Sequence, residues 1–335
     1  MNILITGSNG FVGSRLMWVL EEKGHEVHGI DNSTHCLREK HPNTIIGDIR
    51  KLDDFKKLPI GNFELIIHCA ASKHDFGVSE EEYFSNNEYG TQALMEYATK
   101  RNIKKVIYYG TVSEYGHASV PCDENGKLQP DNPYGASKLA GTKVIEKWQR
   151  ENNTREVVIL RPSIIYGPNN FANMYNLIEM MHKKPWVTIG NGSHIKSMVS
   201  LENLIDMTIF VMDTMKPGIQ IFNALDKPYI TVNQLMKIIS ENRGFRMPII
   251  RFPLNFAILI GRIFDFAAKL LKKDLPINSD RMRKFATSTE YYSEKIRESG
   301  FVQRNSIADE LRVTCEWFLQ NHHKRSELDR NYKGD

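Results

Sequence analysis

Residues Ile3-Leu4-Ile5-Thr6-Gly7-Ser8-Asn9-Gly10-Phe11-Val12-Gly13 constrain this chain most, because an apolar strand, a glycine turn and a helix start succeed one another without a gap. Gly7 suits the positive φ of a tight strand-to-helix turn, Gly10 lets the backbone approach a phosphate, and Gly13 lets the helix pack close to the strand. The helix start then offers free N–H groups and partial positive charge to an anion. A glycine turn alone is a weak signal, but the order of the next elements strengthens it. Val12, Leu16, Val19 and Leu20 recur at helical spacing up to Gly24, a suitable C′ residue. A second strand, Glu26 to Ile30, ends at Asp31, about 20 residues past the glycines, where a dinucleotide fold places its ribose-binding acid. Asp31 favours NAD over NADP, since a carboxylate repels a 2′-phosphate. No Arg or Lys stands directly beside it in sequence.

The first half continues the alternation, with strands expected at Asn2–Thr6, Glu26–Ile30, Thr44–Ile46, Leu65–His68, Lys105–Tyr109 and Glu156–Leu160 and helical patterns between them. That order predicts an α/β fold, a Rossmann-type doubly wound parallel sheet with a smaller, interleaved C-terminal substrate domain. Residues 1–168 form the expected cofactor domain. Ser197–Val199, a helix over Glu202–Met212 and Ile219–Asn223 read as additions to the main sheet, so 196–225 should return to it. The substrate domain is then 169–195 with 226–320, and the polar 321–335 should fray. Thr231 with Gln234, and Ser306 with Asp309, read as capping boxes opening helices.

Composition narrows the classes of partner. With 335 residues and a net charge of +4, the chain has no dense basic block or aromatic-basic stripe, which argues against nucleic acid and suits small anions. The four cysteines, Cys36, Cys69, Cys122 and Cys315, show no paired spacing, so neither a metal site nor a disulfide framework is expected. With no signal peptide before the first strand, a cytoplasmic location is the expectation. The most apolar stretch, Leu254 to Leu271, is interrupted by Arg262, Asp265 and Lys269, too often for a bilayer span of about 20 apolar residues. It reads either as a helix packed on the smaller domain or as an interfacial helix touching membrane or a lipid-linked substrate.

The chemistry-bearing pattern is Tyr134-x-x-x-Lys138, preceded by Pro133 at an expected helix N1 position. Spacing of four puts both side chains on one helix face. A neighbouring ammonium favours the phenolate, so the tyrosine becomes a usable base near neutrality while a dinucleotide moves a hydride. Thr111 lies just past the apolar run Val106–Tyr109, at the strand end where ligands bind in open α/β sheets, and its hydroxyl can bond the reacting oxygen.

With these residues the chain resembles the extended short-chain dehydrogenase/reductases, in particular the NAD-dependent epimerase/dehydratase group acting on nucleotide sugars. The landmarks are TGSNGFVG at 6–13, Asp31, GDIR at 47–50, HCAA at 68–71, NEYGT at 87–91, GTVSEYG at 110–116, YGASK at 134–138 and RPSIIYGP at 161–168, covering about residues 1–225. The resemblance implies a catalytic set of Thr111, Tyr134 and Lys138. It implies an NAD site of Gly7, Gly10, Phe11, Val12, Gly13, Asp31 and Asn32. Asp48 and Ile49 would lie at the adenine, Cys69, Ala70 and Ala71 along the nucleotide, Asn87 as an anchor, and Ser163 and Ile164 beside the nicotinamide. It also implies a homodimer through the helix near Asn87–Arg101 and the Tyr134 helix.

Departures from the family narrow the reaction. Its sugar 4,6-dehydratases carry an Asp-Glu pair directly after the catalytic threonine, where this chain has Val112 and Ser113, and Glu114 comes one place too late. Dehydration and decarboxylation are therefore disfavoured, and a nucleotide-sugar 4-epimerase working through a transient 4-keto intermediate is the expectation. A 4-keto-sugar reductase, a hydroxysteroid-like alcohol dehydrogenase and a non-catalytic NAD-binding regulator remain as alternatives. For substrate contacts the candidates are Ser113, Lys196, at a position where the family often has a diphosphate-gripping arginine, and Arg281 with Arg283. Beyond about residue 245 the sequence resembles sterol-type and polysaccharide-locus relatives, which widens the substrate to an unusual or lipid-linked sugar or a hydroxysteroid-like molecule.

Overall fold

Ile3, Leu4 and Ile5 are fully buried because their strand runs through the middle of a parallel sheet covered on both faces. The computed structural model describes residues 1–324 apart from 37, 60, 73–77, 184–186, 249, 254, 256–258 and 260–287. Its strands are β1 (Asn2–Thr6), β2 (Glu26–Asp31), β3 (Thr44–Ile46), β4 (Leu65–His68), β5 (Lys105–Tyr109), β6 (Glu156–Pro162), β7 (Ile164–Tyr166), β8 (Val187–Ile189), β9 (Met198–Ser200), β10 (Gly218–Ala224) and β11 (Ile250–Phe252). Among the described residues the main sheet has seven strands in the order β10-β6-β5-β4-β1-β2-β3, all parallel. The order reverses between β1 and β4, which makes the crevice at their C-terminal ends the topological switch point.

The helices are α1 (Gly13–Glu22), α2 (Glu80–Phe84), α3 (Gly90–Lys100), α4 (Pro133–Arg150), α5 (Asn173–His182), α6 (Leu201–Asp213), α7 (Val232–Ser240), α8 (Glu294–Glu298) and α9 (Ile307–Asn321). One sheet face packs Ile3, Ile5 and Leu65 against Leu16 and Leu20 of α1 and Leu204, Met207 and Val211 of α6. The other packs Leu4, Ile66 and Val106 against Leu94 and Ala98 of α3 and Ile145 and Trp148 of α4. Each such aliphatic side chain contributes about 1.5–3 kcal/mol on burial, and successive residues of a strand supply the two cores in turn. A third cluster joins Tyr166, Tyr175 and Ile178 to Leu235 and Ile239 of α7 and Leu311 and Phe318 of α9.

The structure adjusts the sequence-based expectations in two places. Gly218–Ala224 joins the main sheet beside β6 over seven paired residues. Met198–Ser200 does not join it, and pairs instead with Ile164–Tyr166 in a separate two-stranded sheet. A three-residue strand with Val199 and Met198 fully or nearly buried has the same periodicity in either sheet, so pattern alone could not choose. At the C-terminus α9 runs to Asn321 and a 3-10 turn covers His322–Lys324, one turn further than the polarity of the segment suggested. The expected caps are present in different degrees. Thr231 and Gln234 form the reciprocal box, whereas Ser306 accepts from the Asp309 N–H at 3.1 Å and donates its hydroxyl to the Asp309 carboxylate at 2.6 Å.

Candidate functional site

The turn between β1 and α1 is held first by backbone bonds: Gly7 N–H donates to Ile30 C=O at 2.9 Å and Gly10 N–H to Gly7 C=O at 3.0 Å. Gly7 sits at φ +71°, and a Cβ there would lie 2.7 Å from the Ala70 nitrogen. At Gly13 a Cβ would reach within 2.1 Å of the Gly7 carbonyl oxygen. Any side chain at either position would push the helix start away from β1 and β4, so the tight turn requires glycine at both.

Asp31 closes the next strand beside this turn. Its carboxylate accepts from Asn9 N–H at 2.9 Å and Ser33 N–H at 2.8 Å, which ties the glycine loop to the end of β2. Burial pushes its pKa up, and the backbone N–H groups of Ser33, Asn9 and Gly10 oppose that. Asn32, next to it, is exposed. The buried Ser8 Oγ, Asn9 Oδ1 and Ser163 Oγ have no protein partner. Buried polar atoms of this kind, around a loop of free N–H groups and a carboxylate, suit a ligand bearing phosphates, hydroxyls and an amide. An NAD molecule meets that description.

Thr111 comes directly after β5 and caps a short 3-10 turn over Val112–Glu114. Its hydroxyl accepts from Ser113 N–H at 3.2 Å and its own N–H donates to Glu114 at 3.0 Å. Helix α4 starts beside it, with Asn132 as N-cap accepting from Gly135 N–H at 2.9 Å and Pro133 in the first turn. The two elements meet so closely that a Cβ at Gly135 would lie 2.5 Å from the Ser113 carbonyl oxygen. That approach brings the Thr111 loop against the first turn of α4, which carries Tyr134, with Lys138 one turn further on. Tyr134 is half-buried, with the Tyr83 ring 6.1 Å away centre to centre. Lys138 is buried, its Nζ 4.2 Å from the centre of the Tyr108 ring, and burial pushes its pKa down to about 8 against the opposing pull of Glu114 and then Cys69. Glu114, the acid one place too late, turns into the core and pairs with Arg161 at 3.0 Å. No carboxylate therefore stands at Val112 or Ser113, on the Thr111 side of the site.

A profile described as the NAD dependent epimerase/dehydratase family matches residues 3–224. The chain belongs to that family. Among the relatives of this family member is the N-acetyl-alpha-D-glucosaminyl-diphospho-ditrans,octacis-undecaprenol 4-epimerase of Escherichia coli O157:H7, 28% identical over 318 residues, covering 94% of this chain and 95% of that protein. The UDP-glucose 4-epimerase of Vibrio cholerae is 28% identical over 280 residues, covering 78% of this chain and 82% of that protein. In fold it is similar to the UDP-glucuronic acid 4-epimerase from Bacillus cereus in complex with NAD, with a TM-score of 0.73, 21% identity, and 96% and 99% of the two chains covered.

The remaining positions of this epimerase/dehydratase relative fall in three groups. Around the crevice, Asn87 donates to Ser72 C=O at 3.1 Å and Ser137 Oγ at 2.9 Å and accepts from Ser72 N–H at 2.8 Å, linking the loop after β4 to α4. Cys69, Ala70 and Ala71 lie in that loop, Ser163 sits between β6 and β7, and Ile164 opens β7. Phe11 and Val12 sit at the start of α1, where the Phe11 carbonyl accepts from Arg38. A second group follows β3: the Asp48 carboxylate accepts from Arg50 at 2.6 Å, and Ile49 packs under Gly90, where a Cβ would lie 2.9 Å from Ile49 Cδ1. In the substrate half, Lys196 is held by a bridge to Thr289, and burial lowers its pKa to about 8. Arg281, Arg283 and nearly all of 254–271 lie outside the described residues.

Two features were not legible in the sequence. Arg38 donates to the carbonyls of Phe11 at 3.1 Å and Pro168 at 2.9 Å, bridging the glycine loop and the end of β7, with burial lowering its pKa to about 10. His68 is fully buried between the Thr6 hydroxyl at 2.7 Å and the Thr91 hydroxyl at 3.0 Å, and burial with the Lys138 charge drives its pKa down to about 3. Only the histidine of HCAA marked the second, and no spacing rule marked the first.

Proposed function

We propose that this chain is an NAD-dependent nucleotide-sugar 4-epimerase. The observation that carries the reading is the packing of the Thr111 loop against the start of α4, the helix that bears Tyr134 and Lys138, with Glu114 of that loop buried against Arg161. Such a site can move one proton at one carbinol, and at Val112 and Ser113 it lacks the acid-base pair that the family's dehydratases use to expel water. The 4-epimerases among the relatives, and the NAD dependence in the family's description, support the same reaction.

Gly7, Gly10, Gly13 and Asp31 would hold the cofactor, with Asp31 on the adenosine ribose. When bound, NAD supplies a hydride acceptor at C4 that later returns the hydride. Tyr134 takes the proton of the C4 hydroxyl and gives it back after the 4-ketone has turned over. Lys138 stabilises the phenolate by its charge, and the Thr111 hydroxyl donates to the same oxygen. Ser113 and Lys196 are substrate contacts, Lys196 facing the diphosphate. We further propose a homodimer through α3 and α4, with Tyr89, directly before α3, 57% exposed.

A second substrate reading, a sugar on a polyprenyl diphosphate, is favoured by one observation. The match to the Escherichia coli relative spans 94% of this chain, including the apolar 254–271 stretch that would meet a membrane surface. Among the described residues no helix is long and apolar enough to cross a membrane.

The test is turnover without added cofactor. Protein purified with its bound NAD is incubated with UDP-glucose, UDP-N-acetylglucosamine and a short-chain polyprenyl-diphosphate sugar. Formation of the C4 epimer supports the reading, and the substrate converted selects between the two carriers. Oxidation of added NAD(P)H by a keto-sugar identifies a reductase instead, and no turnover with retained NAD identifies a regulator.

A further inference from the structure

Glu114 is a fully buried carboxylate that the proton chemistry at C4 leaves unused. Its Oε1 accepts from Thr111 N–H at 3.0 Å, and its Oε2 accepts from the Thr142 hydroxyl at 3.0 Å and Arg161 Nε at 3.0 Å. Three donors converging on two oxygens suit an ionised carboxylate. Gly110 gives it room, since a Cβ there would lie 2.6 Å from Oε1.

Tyr134, Lys138 and Thr142 are spaced four apart on α4 and line one face. The Thr111 loop meets the helix at Gly135, beside Tyr134, through the Ser113 carbonyl, while Glu114 grips it at Thr142, one turn past Lys138. One carboxylate thus fastens the loop that carries the hydroxyl to the helix that carries the phenol and the ammonium.

The charges around Lys138 give a second reason. From β5, Tyr108 presents its ring to Nζ at 4.2 Å, and burial keeps its phenol neutral. From the end of β4, burial keeps His68 neutral and pushes the Cys69 thiol up, so it too is neutral at physiological pH. From β6, Arg161 is bound to Glu114 itself and also donates to the Tyr115 hydroxyl at 2.9 Å. Among the described residues, Glu114 is then the standing negative charge acting on the Lys138 ammonium, and it opposes the desolvation that favours the neutral amine.

We propose that Glu114 is a positioning residue of the reaction, bracing the Thr111 loop against α4 and supplying the fixed negative charge behind the Lys138 ammonium. This rests on Tyr134 and Lys138 being the proton-handling pair. Without Glu114, Lys138 loses its proton at lower pH, and the phenolate loses its support as pH rises.

The test is the pH dependence of turnover in NAD-loaded E114Q, which keeps the shape and removes the charge. The alkaline limb of its kcat profile is expected about one pH unit below that of the wild type, with kcat at neutral pH reduced about tenfold and KM little changed. Glutamine leaves Arg161 without its counter-charge, so E114Q/R161M removes both charges and takes the place of E114Q if that variant does not fold. Of the pair, Glu114 is the charge that favours the Lys138 ammonium, so the limb should still move to lower pH, by less than in E114Q. A folded, NAD-loaded variant whose alkaline limb coincides with the wild type overturns the proposal. A wild type without turnover, or a K138M variant with undiminished turnover, overturns the underlying reading instead.

Discussion

Gly135 is where the geometry of the site is most exposed to a single methyl group. In Gly135→Ala the new Cβ would lie 2.5 Å from the Ser113 carbonyl oxygen, whereas real Cβ contacts essentially never fall under 3.0 Å. The obstacle is backbone on both sides, so no side chain can swing away. The 3-10 turn and the first turn of α4 must separate by at least about 0.5 Å, the shortfall between those two distances. That displacement falls between the Thr111 hydroxyl and the Tyr134 phenol. A misplacement of about 1 Å can cost about 10²-fold in rate, so half of it is expected to lower kcat about tenfold or more. The glycine loop and Asp31 are untouched, and bound NAD should be retained. The added overlap costs about 1–3 kcal/mol of stability, which lowers Tm by several degrees. Steady-state epimerisation, NAD content by absorbance of the denatured supernatant, and a thermal melt separate these effects. Wild-type kcat in a folded, NAD-loaded G135A protein would refute the claim that Thr111 and Tyr134 act on the same oxygen.

Asp31→Ser should weaken NAD binding about tenfold, since it removes a charged acceptor, and narrow the preference over NADP. Calorimetry with both cofactors checks this, and an unchanged preference would contradict the role given to Asp31. Asp226 has its pKa pushed up to about 6 by burial, opposed by donors that include Ser200 N–H and Asn203 Nδ2. A raised carboxyl binds protons better in the folded state, so its contribution to stability is full at low pH and is lost as pH rises through about 6. D226N, which mimics the protonated form, should therefore gain in Tm relative to the wild type as pH rises through that value, and a difference independent of pH would exclude the effect. Tyr134→Phe should lower kcat by about 10²–10⁴-fold while NAD stays bound, as measured by turnover and cofactor content.

The sheet was legible because its strands are nearly continuous apolar runs bounded by glycine, asparagine or charge, and burial on both faces leaves such runs one sensible place. The glycine loop was legible for a different reason: Gly7 and Gly13 answer steric demands that no other residue meets. Tyr134 and Lys138 could be read from helical spacing together with Pro133. What spacing could not supply was the direction in which Glu114 points. A carboxylate one residue from a substrate-facing position looks the same in sequence whether it faces a sugar or an arginine 47 residues away, and only the fold brings Arg161 beneath it. Met198–Ser200 failed for a related reason, since a strand so short carries too little pattern to name its neighbour. Arg38 is held by two carbonyl oxygens, and backbone acceptors leave no trace in sequence.

The central claim is that the hydrogen removed from C4 stays in the closed site and returns to the opposite face, while Tyr134 alone handles the proton. A substrate carrying deuterium at C4, incubated with NAD-loaded protein in ordinary water without added cofactor, tests this directly by mass spectrometry of the epimer. The epimer is predicted to retain the deuterium at C4. Replacement of that deuterium by solvent hydrogen, or product formed only in proportion to added NAD(P)H, would contradict the claim.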